Sequence, residues 1–158
     1  MSTVTLDKKV PAFSAASTGD QTFKLADHKG KNLVLYFYPK DNTSGCTREG
    51  QDFRDQYAKF KRNNTVVVGV SRDSLKSHEG FKTKQSFPFE LLADTDEALC
   101  RLFDVIKEKN MYGRRVMGIE RSTFLIDAAG VLRREWRKVK VDGHVEEVLD
   151  AVRELNRS

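Results

Sequence analysis

Cysteine is nearly absent from this sequence. Two occur in 158 residues, Cys46 and Cys100, alongside three prolines and one tryptophan. Two cysteines fifty-four positions apart (100 − 46) exclude a disulfide framework. Neither belongs to a CxxC pair, which removes a common zinc spacing and the dithiol motif of disulfide oxidoreductases. Long apolar runs are missing too. Nothing approaches the ~18 consecutive apolar residues of a membrane span, and the opening "MSTVTLDKKVPAF" has no apolar stretch of signal-peptide length. A reducing compartment, the cytoplasm, is therefore expected, without membrane association. Charge is not one-sided: 28 Lys and Arg are interspersed with 23 Asp and Glu, for a net charge of +5. No basic tail or stripe stands out, so a nucleic-acid partner is not expected. The three histidines, His28, His78 and His144, lie far apart, so neither a metal site nor a Cys–His hydrolase is favoured.

What is present is an ordered alternation of strand-like and helix-like segments. Val10 to Leu25 reads as two short extended pieces around the turn "STGDQ". "NLVLYFY", Asn32 to Tyr38, is a continuous apolar and aromatic run suited to a strand buried on both faces, and Pro39 ends it. From Cys46 the period changes: Phe53, Tyr57 and Phe60 recur at helical spacing up to "RNN". Thr65 to Ser71 is a second buried strand. "RDSLKSHEGFKTKQS" predicts a polar helix capped by Asp73 or Ser74. "FPFELLAD" is strand-like, "DEALCRLFDV" a short helix, and "STFLID" with "VLRREWRKV" a hairpin around "AAG". Val145, Val148, Leu149, Val152 and Leu155 form one stripe of a final helix, with His144 expected to cap it or face solvent. The pattern predicts one α/β domain over residues 1–158, with a central mixed sheet flanked by helices.

Cys46 sits where a strand, a loop and a helix meet. Unpaired N–H groups and the positive dipole end of a helix favour an anion there, and a thiolate is such an anion. A buried, inert cysteine is the other reading of the same position.

The neighbours separate the two. Pro39, Thr43 and Cys46 spell P-x3-T-x2-C. This resembles the active-site motif of the peroxiredoxins. "GIERSTFLID" is similar to the segment that carries that family's active-site arginine, here Arg121. "FYPKDNTSGCTREGQDFRD", "LLADTDEALCRLFDV" and "MGIERSTFLID" most resemble the bacterioferritin-comigratory-protein or peroxiredoxin-Q branch, in order and over nearly the whole chain. The resemblance implies a thioredoxin-like fold with an N-terminal β-hairpin, a monomer, and no metal or other cofactor. It implies reduction of hydrogen peroxide and organic hydroperoxides by a Cys46 thiolate that becomes a sulfenic acid.

Ionisation alone does not make a fast peroxidase. A thiol whose pKa falls from about 8.5 to about 6 gains roughly thirtyfold in thiolate at pH 7 and loses about tenfold in nucleophilicity. The site must also hold the peroxide and stabilise charge on the departing oxygen. Thr43, whose hydroxyl both donates and accepts, and Arg121, with its fixed donors, are expected to do this. Pro39 is expected to shield the thiolate. Backbone N–H groups around Gly45 and Cys46 are expected to add donors, Glu49 is a candidate partner of Arg121, and Tyr38 is a candidate pocket residue for which simple packing is the favoured reading. Tyr112 and Met117 are expected to pack rather than line the pocket.

A second thiol is missing. Many members of the branch carry a resolving cysteine five residues after the reactive one, here Gln51, or about 36 residues on, here Lys82. The expectation is a one-cysteine cycle, with the sulfenic acid reduced by thioredoxin, glutaredoxin or glutathione. Cys100 is expected to be a half-buried structural cysteine. The alternatives are a two-cysteine cycle through Cys100 and a redox sensor without turnover.

Overall fold

The computed structural model describes residues 4–157. The extended N-terminal pieces form a hairpin, β1 (Ser14–Ser17) and β2 (Gln21–Lys24), which turns through Gly19 and Asp20. A single 3-10 turn leads to β3 (Asn32–Phe37), every residue of which is buried. Helix α1 spans Ser44–Arg62 and is followed by β4 (Thr65–Ser71). Next come α2 (Leu75–Gln85), β5 (Leu91–Ala93) and the short α3 (Ala98–Leu102). The chain continues through β6 (Ile106–Met111), β7 (Arg114–Ile119), β8 (Ser122–Ile126) and β9 (Leu132–Trp136), and ends in α4 (His144–Arg157).

Seven strands make one mixed sheet in the order β2-β1-β5-β4-β3-β8-β9. β3, β4 and β5 run parallel, joined by α1 and α2, while β8 lies antiparallel to β3. Side chains alternate across a strand, and β3 uses both faces. Val34, Tyr36 and Tyr38 point to a core shared with Phe53 and Phe60 of α1 and Val148 and Val152 of α4. Leu33, Leu35 and Phe37 point to the opposite core, with Leu99, Cys100 and Phe103. Phe53 is wholly buried, and its ring stacks on Tyr36 at 4.6 Å. Burial of such a side chain is worth about 1.5–3 kcal/mol.

Helix boundaries follow local chemistry. α1 stops at "RNN", where Asn63 N–H returns to Lys59 O and Asn64 takes a left-handed φ of 56°. Lys59, Lys61 and Arg62 sit at its negative end. α2 is capped by Ser74, whose hydroxyl accepts from Ser77 N–H.

Two segments depart from the sequence reading. The strand after Pro88 shrinks to Leu91–Ala93. Phe87 and Phe89 stack on each other in the α1 core instead, at 5.0 Å. The second departure is an unforeseen hairpin, β6–β7, paired only with itself. Most of its residues are polar or exposed, so no apolar alternation marks it. Its one sharp signal is Tyr112-Gly113, both at positive φ (53° and 79°), which suits a two-residue hairpin turn. Tyr112 is 99 % and Met117 57 % exposed, so neither is the packed residue expected.

Candidate active site

Cys46 is the third residue of α1 and is 2 % exposed. Thr43 is the residue before the helix, with extended φ and ψ, and the first helical bond runs from Thr47 N–H to Thr43 O. N–H groups of such a first turn have no acceptor within their own helix. The Thr43 hydroxyl does not cap the helix. It donates to Lys40 O at 2.8 Å, which leaves its lone pairs free to accept. Pro39 follows β3 in the same loop and is half-buried.

Arg121 comes from the junction of β7 and β8. Its Nη2 donates to Cys46 Sγ at 3.5 Å, and its Nη1 lies 2.6 Å from Glu49 Oε1. Helical geometry explains the acid: Glu49 is one turn after Cys46, on the same side of α1. Gly45 makes the approach possible, since a Cβ there would sit 3.1 Å from Arg121 Nη2.

The electrostatics of this trio follow from burial. Burial pushes the Glu49 carboxyl up to about 7, against the pull of Arg121. Burial also opposes the charge of Arg121, but Glu49 and Cys46 outweigh it and raise its pKa. Glu49 Oε2 and the nearby Tyr36 hydroxyl are buried without a hydrogen-bond partner, so the guanidinium holds only one of the two carboxylate oxygens.

Tyr38 is not a pocket residue. The parity of β3 turns it into the core, where it is 0 % exposed and its hydroxyl donates to Asp41 Oδ1 at 2.7 Å. It belongs to a network that the sequence did not announce. Asp41 Oδ2 lies 2.7 Å from His78 Nδ1 and accepts from Ser77 Oγ at 2.8 Å, and His78 Nε2 donates to Leu92 O. Asp41 N–H donates to Asp73 Oδ2 at 2.9 Å. These bonds tie the loop carrying Pro39 and Thr43 to α2, to β5 and to the loop between β4 and α2. Asp41, Asp73 and His78 also offer atoms within 4.8 Å of one another that could hold a cation, but these atoms already make the hydrogen bonds just described.

His144 neither caps α4 by its side chain nor faces solvent. It is 4 % exposed, its Nε2 meets Thr123 Oγ1 at 2.8 Å, and burial lowers its pKa to about 4. Cys100 is wholly rather than half buried. Burial, a hydrogen bond with Asp94 and the charge of Asp94 push its thiol far upward. The positions of the two absent cysteines are both committed elsewhere: Gln51 Nε2 donates to Gln85 Oε1 at 2.9 Å, and Lys82 Nζ pairs with Glu90 at 2.5 Å.

A cysteine in the first turn of a helix, in contact with an arginine from the β7–β8 junction, places the molecule among thiol-based redox proteins. The chain belongs to the AhpC/TSA family, whose model matches residues 6–135. It is 57 % identical over 137 residues to Peroxiredoxin Bcp of Xanthomonas campestris, covering 87 % of this chain and 85 % of that one. It is 48 % identical over 154 residues to Peroxiredoxin Bcp of Bacillus subtilis, covering 98 % of both. Among solved structures it superposes on Xanthomonas campestris Peroxiredoxin Q with a TM-score of 0.87 at 52 % identity, covering 91 % of each chain. A second structure of the bacterioferritin comigratory protein from that organism, described as a trapped intermediate/ligand complex bearing on alkyl peroxide reduction, gives 0.87 at 51 %, covering 91 % of this chain and 92 % of that one. The expected mixed α/β fold and the peroxiredoxin resemblance are both borne out. Serine mutants of the Xanthomonas protein replace cysteines 36 positions apart (84 − 48). The same spacing here runs from Cys46 to Lys82 (82 − 46).

Proposed function

We propose that this protein is a thiol-dependent peroxidase that reduces hydrogen peroxide and organic hydroperoxides through Cys46, in a one-cysteine cycle. The observation that carries the reading is the Arg121 guanidinium, anchored on Glu49 by one nitrogen and turned to Cys46 Sγ by the other.

The thiolate attacks the outer oxygen of the hydroperoxide. An S–O bond forms as the O–O bond breaks, and its electron pair leaves on the alkoxide, which takes a proton to become the alcohol. Arg121 stabilises the sulfur anion first and the oxygen charge afterwards; one such donor is worth about 3–4 kcal/mol. Thr43, its own proton committed to Lys40 O, accepts from the hydroperoxide O–H and aligns the O–O bond. Pro39 covers the sulfur without a competing N–H. An external thiol then condenses with the sulfenic acid, releasing water, and a second thiol exchanges with the mixed disulfide to restore Cys46.

The position of Cys100 supports this cycle over an internal disulfide. Cys46 and Cys100 belong to cores on opposite faces of the sheet, and a disulfide needs Cα atoms within about 7 Å. We further propose a reducing, cytoplasmic setting with thioredoxin, glutaredoxin or glutathione as the thiol source. Among the described residues no helix is long and apolar enough to cross a membrane.

The test combines peroxide consumption in the presence of a thiol with intact mass after one equivalent of peroxide. Turnover that vanishes in Cys46→Ser, with a mixed disulfide to the added thiol, is expected. Single-shot oxidation without turnover under any of the three reductants makes the protein a sensor. Loss of two hydrogens with no added oxygen, joining Cys46 to Cys100, rejects the one-cysteine cycle.

A further inference from the structure

The loop that delivers Thr43 is held by one side chain. Of residues 40–44 only Asp41 is buried; Lys40, Asn42, Thr43 and Ser44 are exposed. Asn42 takes a left-handed φ of 65°, which folds the loop back sharply. The Thr43 hydroxyl donates to Lys40 O at 2.8 Å, and Asp41 N–H donates to Asp73 Oδ2 at 2.9 Å. That carbonyl and that N–H are the two ends of one planar peptide group. The placing of Thr43 is therefore inherited from how Asp41 is held.

Three side chains hold the Asp41 carboxyl. Tyr38 OH meets Oδ1 at 2.7 Å, while Ser77 Oγ and His78 Nδ1 meet Oδ2 at 2.8 and 2.7 Å. His78 is wholly buried, and its other nitrogen, Nε2, lies 2.8 Å from Leu92 O. A carbonyl only accepts, so Nε2 carries a hydrogen. In a neutral imidazole Nδ1 would then be bare, and its lone pair would face the Asp41 oxygen. The contact therefore holds a further proton, which leaves the buried acid and ring net neutral as a pair. Asp73 brings a second carboxylate oxygen within 4.8 Å of the ring nitrogen.

We propose that His78 is a positioning residue for the peroxide step. Its doubly protonated ring holds Asp41 and, through the 40–41 peptide group, sets the Thr43 hydroxyl that receives the hydroperoxide. The proposal rests on the peroxidase reading above, in which Thr43 aligns the O–O bond.

Two substitutions separate the ends of the ring. In His78→Asn the shorter amide stands in for Nδ1 and still donates to Asp41. In His78→Gln the longer amide stands in for Nε2 and keeps only Leu92 O. Both remove the same buried ring, so lost packing is common to them. Single-turnover oxidation of Cys46 by hydrogen peroxide is compared with alkylation of the same thiol by iodoacetamide, which brings no O–H for Thr43 to receive.

The peroxide rate is expected to fall about tenfold in His78→Gln and less than about threefold in His78→Asn, as a reactant displaced by a fraction of an ångström gives, with alkylation unchanged in both. In a Thr43→Val background His78→Gln should add less than about twofold, because both changes act on one interaction. Ser77→Ala, which removes one donor from a half-buried position of α2, should slow oxidation about threefold and spare alkylation.

Equal oxidation rates in wild type and His78→Gln overturn the positioning role, and so does a His78→Gln effect undiminished without the Thr43 hydroxyl. If His78→Gln loses oxidation and alkylation together, its fold is disturbed and Ser77→Ala decides; unchanged oxidation there overturns the role. Wild-type Cys46 oxidised no faster than a free thiol overturns the peroxidase reading and the proposal with it. Rapid wild-type oxidation that none of the substitutions slows overturns the proposal alone.

Discussion

Arg121 Nη1 stands 2.6 Å from Glu49 Oε1 while Nη2 of the same guanidinium stands 3.5 Å from Cys46 Sγ. One rigid plane thus meets an acid at one nitrogen and the sulfur at the other. Arg121→Ala is expected to slow the peroxide step by a factor on the order of hundreds. Arg121→Lys restores only a small part, because a lysine cannot span both contacts. Stopped-flow oxidation by hydrogen peroxide measures this, and an Arg121→Ala rate within threefold of wild type would show that the contact is not catalytic.

Gly45→Ala tests how tightly that plane is seated. The new methyl carbon would lie 3.1 Å from Arg121 Nη2 and must displace it by a few tenths of an ångström. The helix gains up to about 1 kcal/mol from alanine, so stability should hold or rise while the peroxide rate drops several-fold. A variant as fast as wild type would indicate a guanidinium with room to spare.

Cys100→Ala should leave peroxide turnover intact. Cys100 lies on the other side of the sheet from Cys46 and carries a strongly suppressed thiol. Steady-state rates with each thiol reductant check this. A large loss of turnover without loss of fold would bring Cys100 into the cycle.

His144 should set part of the acid limb of stability. Its folded pKa is about 4 against an ordinary 6.5, so between those values the unfolded chain binds more protons than the folded one. The contribution is complete above pH 6.5 and is lost as pH falls towards 4, about 3 kcal/mol in all. The stability difference between wild type and His144→Gln, from urea unfolding, is expected to shrink by about that amount from pH 7 to pH 4. A difference that stays flat would mean that His144 titrates alike in both states.

Much of this was legible in the residues. β3 and β4 announce themselves because strands buried on both faces need unbroken apolar runs, and α1 because Phe53, Tyr57 and Phe60 keep one helical face. Cys46, Glu49 and Arg121 come together as the motif and the one-turn spacing suggest. The rest was hidden for physical reasons. The β6–β7 hairpin is held by backbone bonds and a two-residue turn, so its side chains stay free to be polar. Tyr38 obeys strand parity rather than its closeness to Pro39, and the burial of Asp41 and His78 depends on a contact between elements 37 positions apart.

The sheet standing between the two thiols has a consequence for cells that would rely on this enzyme. In the proposed cycle no internal partner quickly caps the sulfenic acid, so its lifetime is fixed by whichever small reactant arrives first. A thiol returns the sulfur to use; a second peroxide carries it on to the sulfinic acid, from which most proteins do not recover. Tolerance to an oxidant burst would then depend on the ratio of ambient thiol to peroxide, not on the amount of protein.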